Sequence, residues 1–122
     1  MAHRKILILP ALMLALVVGA FGADVTGKWT AEFDTQIGVQ KYTYEFKVDG
    51  TKLTGKAINQ MGETAIQDGK VSGDEISFVE MLNFQGQEIR IEYTGKVSGD
   101  EIKFTRKVAD FATEELVAKR VK

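Results

Sequence analysis

The stretch Tyr42–Val48, YTYEFKV, alternates apolar and polar side chains without a break, and the same period of two recurs along most of the chain after Gly27. A helix would scatter such residues around its axis, whereas a pleated strand sends them to two opposite faces. Short turn signals separate the alternating runs: VDGT, NQMGE, VSGDE, LNFQGQE and a second VSGDE. Their Asp-Gly and Gly-Asp steps supply the positive φ angles that tight hairpins require.

The pattern predicts eight antiparallel strands, over Gly27–Thr35, Val39–Val48, Thr51–Asn59, Glu63–Val71, Asp74–Leu82, Gln87–Val97, Asp100–Val108 and Glu115–Val121. The near repeat GKVSGDEISF (Gly69–Phe78) and GKVSGDEIKF (Gly95–Phe104) uses one hairpin twice, as a meander does. Similar strands with one apolar face and short connections are expected to roll up, because closure removes both exposed edges. The fold class is therefore all-β, an eight-stranded up-and-down barrel.

Turn positions then set register. With Asp49-Gly50 as a two-residue loop, Phe46 falls opposite Leu53, Tyr44 opposite Gly55 and Tyr42 opposite Ala57. A three-residue loop ending at Gly62 sets Ala57 opposite Ala65. Gly73-Asp74 and Gly99-Asp100 as loops bring Phe78 to Gly69, Gln67 to Glu80, Phe104 to Gly95 and Arg106 to Tyr93. The inward glycines Gly55, Gly69 and Gly95 read as bending points of the sheet.

The first 22 residues stand apart. Arg4 and Lys5 precede an apolar run from Ile6 to Val18, followed by small residues that suit cleavage after Gly22. This is the pattern of a secretory signal peptide. The run is also shorter than the roughly 20 residues a membrane span needs. The expected organisation is a leader over 1–22 and one β-barrel domain over 23–122, exported to the periplasm or the exterior without stable membrane insertion.

Removing the leader removes chemistry as well. The only His, His3, and the only Pro, Pro10, lie within it, and the sequence has no Cys. A Ser-His-Asp or Cys-His nucleophile and a zinc site of the usual ligands are thereby excluded, and no metal or cofactor is expected. Without Arg4 and Lys5 the 16 basic residues become 14 against 17 acidic ones, a formal charge of −3. The lysines are interleaved with Glu and Asp rather than gathered in a stripe, so nucleic acid is not an expected partner.

Gly27-Lys28-Trp29 near the start and Ala118-Lys119-Arg120 near the end resemble the calycin superfamily of lipocalins, fatty-acid-binding proteins and avidins. The resemblance implies that Trp29 on the first strand seals one end of the barrel and that Arg120 from the last strand packs across it, a cation–π contact. The hairpins also resemble small glycine-turned β domains of secreted bacterial proteins, which imply no activity.

With the Trp29 end sealed, the opposite rim is the candidate site. Tyr42, Asn59, Glu80 and Arg106 are expected near that rim, Gln67 one layer deeper, and Tyr44 and Tyr93 near the middle. Trp29, Phe33, Tyr42, Tyr44, Phe46, Phe78, Tyr93 and Phe104 all carry inward parity, and eight rings can fill a barrel of this size alone. In that case Glu80 and Arg106 are a rim ion pair and nothing more. The functional alternative is a shallow cup taking a small hydrophobic or aromatic ligand, with Tyr42, Tyr44, Gln67, Glu80, Tyr93 and Arg106 as ligand-binding residues. The segment KVADFATE, Lys107 to Glu114, is read as the longest loop, a lid or a core plug carrying Phe111. A second function class is an adhesion or accessory module that binds protein or polysaccharide through its surface, Ile37 and Phe84 on turns being the cue. An enzyme is not expected: a carboxylate pair such as Glu63 and Glu80 could serve glycosidase chemistry, but no motif marks either.

Overall fold

The structure, a computed structural model, describes residues 23–122; the leader expected over residues 1–22 lies outside the described residues. Its strands are β1 (Gly27–Thr35), β2 (Gly38–Asp49), β3 (Lys52–Asn59), β4 (Gly62–Ala65), β5 (Gln67–Ser72), β6 (Glu75–Phe84), β7 (Gln87–Ser98), β8 (Glu101–Val108) and β9 (Ala112–Arg120). Strands β4 and β5 both pair with β3 and together fill one position. The circuit of eight positions closes through β1 against β9 and β2 against β3, giving an antiparallel up-and-down barrel.

Hairpin chemistry distinguishes the two ends. At the Trp29 end the turns are Gly50-Thr51, Gly73-Asp74 and Gly99-Asp100. Each of these glycines has positive φ, where a side chain would be strained. At the other end the turns are Gln36-Ile37, Gln60-Met61, Gln85-Gly86 and the three residues Ala109–Phe111.

Three register expectations change. The β2–β3 turn is Gly50-Thr51, so Phe46 pairs with Gly55 and Tyr44 with Ala57, a shift of two residues. A shift of two preserves which face each side chain occupies, so the inward aromatics keep their places. The β3–β4 turn has two residues rather than three, which sets Ala57 opposite Thr64. A register shift between Gln67 and Lys70, with Asp68 at φ 53°, then restores the inward phase by Val71. The β5–β6 ladder keeps the expected register from Ser72 to Lys70 but has no Phe78–Gly69 pair, and Gly69 pairs with Leu53 on β3. Finally, β8 ends at Val108 as expected but β9 begins at Ala112 rather than Glu115, so the expected eight-residue loop is a three-residue turn. Phe111 stands on it 67 % exposed, so it is not a core plug.

Inside, all eight inward rings are buried. Phe78 and Tyr93 stack at 4.4 Å, while Tyr44 meets Phe78, Tyr93 and Phe104 at 5.7–6.1 Å in edge-on or tilted arrangements. Rings of this kind contribute about 0.5–1.5 kcal/mol per pair beyond their area. Phe104 lies over Gly95 so closely that a Cβ there would stand 2.5 Å from its ring. Glycine at this position is room for a ring as much as a bend.

The closed end is built from Trp29 and from residues the strand pattern passes over. Val25 is fully buried, and its carbonyl accepts a hydrogen bond from Trp29 Nε1 at 2.9 Å. Ala23 N donates to the Gly73 carbonyl at 2.7 Å, so the segment Ala23–Thr26 crosses beneath the rings. Arg120 covers the indole, 4.4 Å from its centroid, and donates to the carbonyls of Asp24 and Thr26 and to Asp100 Oδ1. The expected cork is present.

Two seams are laced only at this end. The β1–β9 ladder has two residue pairs, Trp29–Arg120 and Thr30–Lys119. The β5–β6 ladder stops at Gln67–Val79, and among the described residues no ladder joins β4 to β6.

Candidate functional site

Above the stacked rings, β1, β2, β6, β7, β8 and β9 enclose a cup of about 420 Å³ at the end away from Trp29. Its walls are largely apolar: Ile37, Met61, Leu82, Phe84, Ile89, Val108 and Phe111, with Gln36, Gln40, Gln85 and Gln87 interspersed. Tyr42, Arg106 and Glu114 also line it. Each turn at this end is flanked or tipped by an apolar residue, and Ile37, Met61 and Phe111 are about half exposed or more.

Arg106 organises the floor. Its inward place on β8 sets it opposite Tyr93 on β7 and Glu114 on β9. Nε donates to Tyr93 Oη at 2.8 Å, Nη2 to Tyr42 Oη at 3.0 Å, and Nη1 to Glu114 Oε1 at 2.5 Å. Its guanidinium carbon also lies 5.2 Å from the Phe33 and Tyr42 ring centres and 5.6 Å from that of Tyr93. A buried arginine needs such partners, since an uncompensated charge in the interior is strongly destabilising.

Glu80 is the counterpart below. It accepts from Tyr42 Oη through Oε2 and from Tyr93 Oη through Oε1, both at 2.8 Å. Arg106 Nη2 stands 3.9 Å from Oε1, an ion pair without a direct hydrogen bond. Asn59 Nδ2 donates to Tyr42 Oη at 3.0 Å. Tyr93 Oη already donates to Glu80, so in its 3.0 Å contact with Tyr44 the proton comes from Tyr44. Both central hydroxyls thus donate once and accept twice, and among the described residues no buried side-chain polar atom is left without a partner.

Environment sets the protonation. Burial pushes the Glu80 carboxyl above its ordinary pKa, against the opposing pull of Arg106 and the two tyrosine hydrogen bonds. Burial likewise raises Tyr42, with the Glu80 charge adding to it, and raises Tyr44 and Tyr93 well above the ordinary tyrosine value. Burial also disfavours the Arg106 cation, but Tyr93, Tyr42 and Glu80 outweigh it and hold the pKa above the usual arginine value.

Of the six expected ligand-binding residues, Tyr42, Tyr44, Glu80, Tyr93 and Arg106 converge in this one network. Two details differ. Glu80 and Arg106 are floor, not rim: they are 1 % and 3 % exposed. Gln67 is exposed outside the barrel, opposite Val79 rather than Glu80, because the irregularity next to it changes the strand's phase. Glu114 is the residue the pattern missed. The sequence pattern puts it in the loop Lys107–Glu114, whereas strand β9 begins earlier and makes it the cross-strand neighbour of Arg106. The carboxylates Glu63 and Glu80 are not equivalent: Glu63 is exposed and bonded to Lys56 Nζ at 3.1 Å, while Glu80 is sealed within the network.

No family model, no curated protein and no solved structure matches this chain. The closed eight-position barrel with its tryptophan cork is compatible with a calycin-like fold.

Proposed function

We propose that this protein is an exported binding module of calycin-like type, holding a small, largely apolar molecule in the cup between Leu82, Ile89, Val108 and the loop tips. The observation that carries the reading is the combination of an apolar-walled cup of about 420 Å³ with a polar floor of Tyr42, Arg106 and Glu114. Its volume is within the range of small-molecule sites, which join apolar walls to a few fixed polar groups. The aromatic stack below leaves room only at the mouth, so the ligand is short or sits partly outside. Tyr44, Tyr93 and Glu80 then act from beneath by orienting Tyr42 and Arg106. Binding without catalysis fits a floor whose only buried carboxylate is committed to two tyrosines. The leader pattern of residues 1–22 supports a periplasmic or extracellular setting.

The test is displacement of an environment-sensitive fluorophore from the purified domain by medium-chain aliphatic and small aromatic compounds, with thermal shift as a second readout. Saturable displacement accompanied by stabilisation is the expected result. No response across the set would remove this reading. The exposed Ile37, Met61 and Phe111 support a second reading, in which the same end contacts a protein or polysaccharide; co-purification that survives filling of the cup would favour it.

A further inference from the structure

The charges on the cup floor select against the anionic ligands that a lone arginine would attract. Among the described residues Arg106 is the one cation lining the cup, and Glu114 is the one carboxylate beside it. Directly below is Glu80, 1 % exposed. One cation thus faces two carboxyl groups, so the formal charge of the trio is −1 when Glu80 is ionised and zero when it is protonated. In neither state is it positive. A carboxylate brought into this partly desolvated place would meet a cation already held by Glu114 and would stand beside the Glu114 charge.

The tyrosine hydroxyls of the floor point the same way, while Arg106 spends three of its five N–H donors on Tyr93, Tyr42 and Glu114. The hydroxyls of Tyr42 and Tyr93 each donate to Glu80 and accept two further bonds, so neither has anything left to offer a carboxylate. Glu114 uses Oε1 toward Arg106, and its side chain is only 12 % exposed, at the wall of the cup. Among the described residues its second oxygen takes no hydrogen bond, and it is an acceptor able to take a proton donor from the ligand.

We propose that the ligand of this cup is an apolar molecule ending in an uncharged or cationic hydrogen-bond donor, a hydroxyl or an ammonium group, which docks on Glu114, and that carboxylate amphiphiles are rejected. This rests on the binding function proposed above. The apolar part lies against Leu82, Ile89 and Val108, and the head group approaches the Glu114–Arg106 pair from the mouth.

Decanol, decylammonium and decanoate share one chain and differ in the head group, so they separate the two readings. Each is titrated against a fluorophore bound to the purified domain at neutral pH. Decanol and decylammonium are expected to displace it with decanoate at least tenfold weaker. In Glu114→Gln the decanoate deficit is expected to shrink and the decylammonium affinity to fall. Decanoate binding as tightly as decanol in the unaltered protein would overturn the inference while leaving a binding function in place. Failure of all three would remove the binding function and the inference together. The comparison within the unaltered protein holds even where the variant fails to fold.

Discussion

Arg120 holds its guanidinium carbon 4.4 Å from the centre of the Trp29 ring, and the two are also cross-strand partners of β9 and β1. Since that ladder has only two residue pairs, one side chain carries much of the seam. Arg120→Ala removes the cation–π contact and the donors to Asp24, Thr26 and Asp100. A loss of about 2–3 kcal/mol is expected from these contributions. Chemical denaturation measures it, and emission from Trp29, the only tryptophan, should move to longer wavelength before global unfolding.

Gly55 lies opposite Phe46 with φ 143°, and a Cβ there would stand 1.8 Å from the Glu45 carbonyl oxygen. The obstacle is backbone, so no rotamer change relieves it. Gly55→Ala should cost at least about 3 kcal/mol, through strain and displacement of β3 from β2. A variant of unchanged melting temperature would contradict the close approach of the two strands.

All three tyrosines of the sequence are buried with raised pKa values. A raised folded pKa means that stability is fully present below the unfolded value, about 10 for tyrosine, and declines above it. Tyrosinate absorbance should therefore be absent from the folded protein at pH 10 and emerge together with unfolding at higher pH. Early titration of even one ring would place that hydroxyl in solvent.

Glu80→Gln tests the buried carboxyl against Arg106, Tyr42 and Tyr93. An amide presents a donor where Tyr42 or Tyr93 now donates, leaving one mismatch worth about 1–3 kcal/mol. Because the Glu80 pKa is raised in the fold, its stabilising effect is complete below its ordinary value of 4.5 and is lost as pH rises through the higher folded value. The variant should be clearly less stable than the parent in acid, with the gap narrowing toward neutral pH. Denaturation midpoints of both proteins across that range provide the check.

Ile89 is half-buried and lines the cup without joining the polar network. Ile89→Trp should fill the mouth and abolish fluorophore binding while changing stability by no more than about 1 kcal/mol. Retained binding would locate the ligand elsewhere.

The barrel was legible because its signals are repeated: alternation in every strand, and glycine turns at one end. Local turn chemistry was less decisive. Asp49-Gly50-Thr51 offers two adjacent pairs of turn residues, and the chain uses the second. Nothing in Ile66–Lys70 announces a bulge, yet it turns Gln67 to solvent and breaks the expected β5–β6 register beyond Lys70. Glu114 was hidden for a related reason, since Ala112 and Thr113 look like loop until pairing with Val108 and Lys107 makes them strand. Val25 escaped because it precedes the first alternating run, its burial arising only when the chain folds under Trp29.

With Glu80 ionised, the tyrosine protons described above have one allowed arrangement: Tyr44 gives to Tyr93, and Tyr93 and Tyr42 give to Glu80. None is free to spin, so the base of the cup is an array of dipoles frozen before any guest arrives. Shape adjustment is left to the loop tips, while head-group preference is written in advance, and slowly exchanging hydroxyl resonances should appear in the proton spectrum of the empty protein.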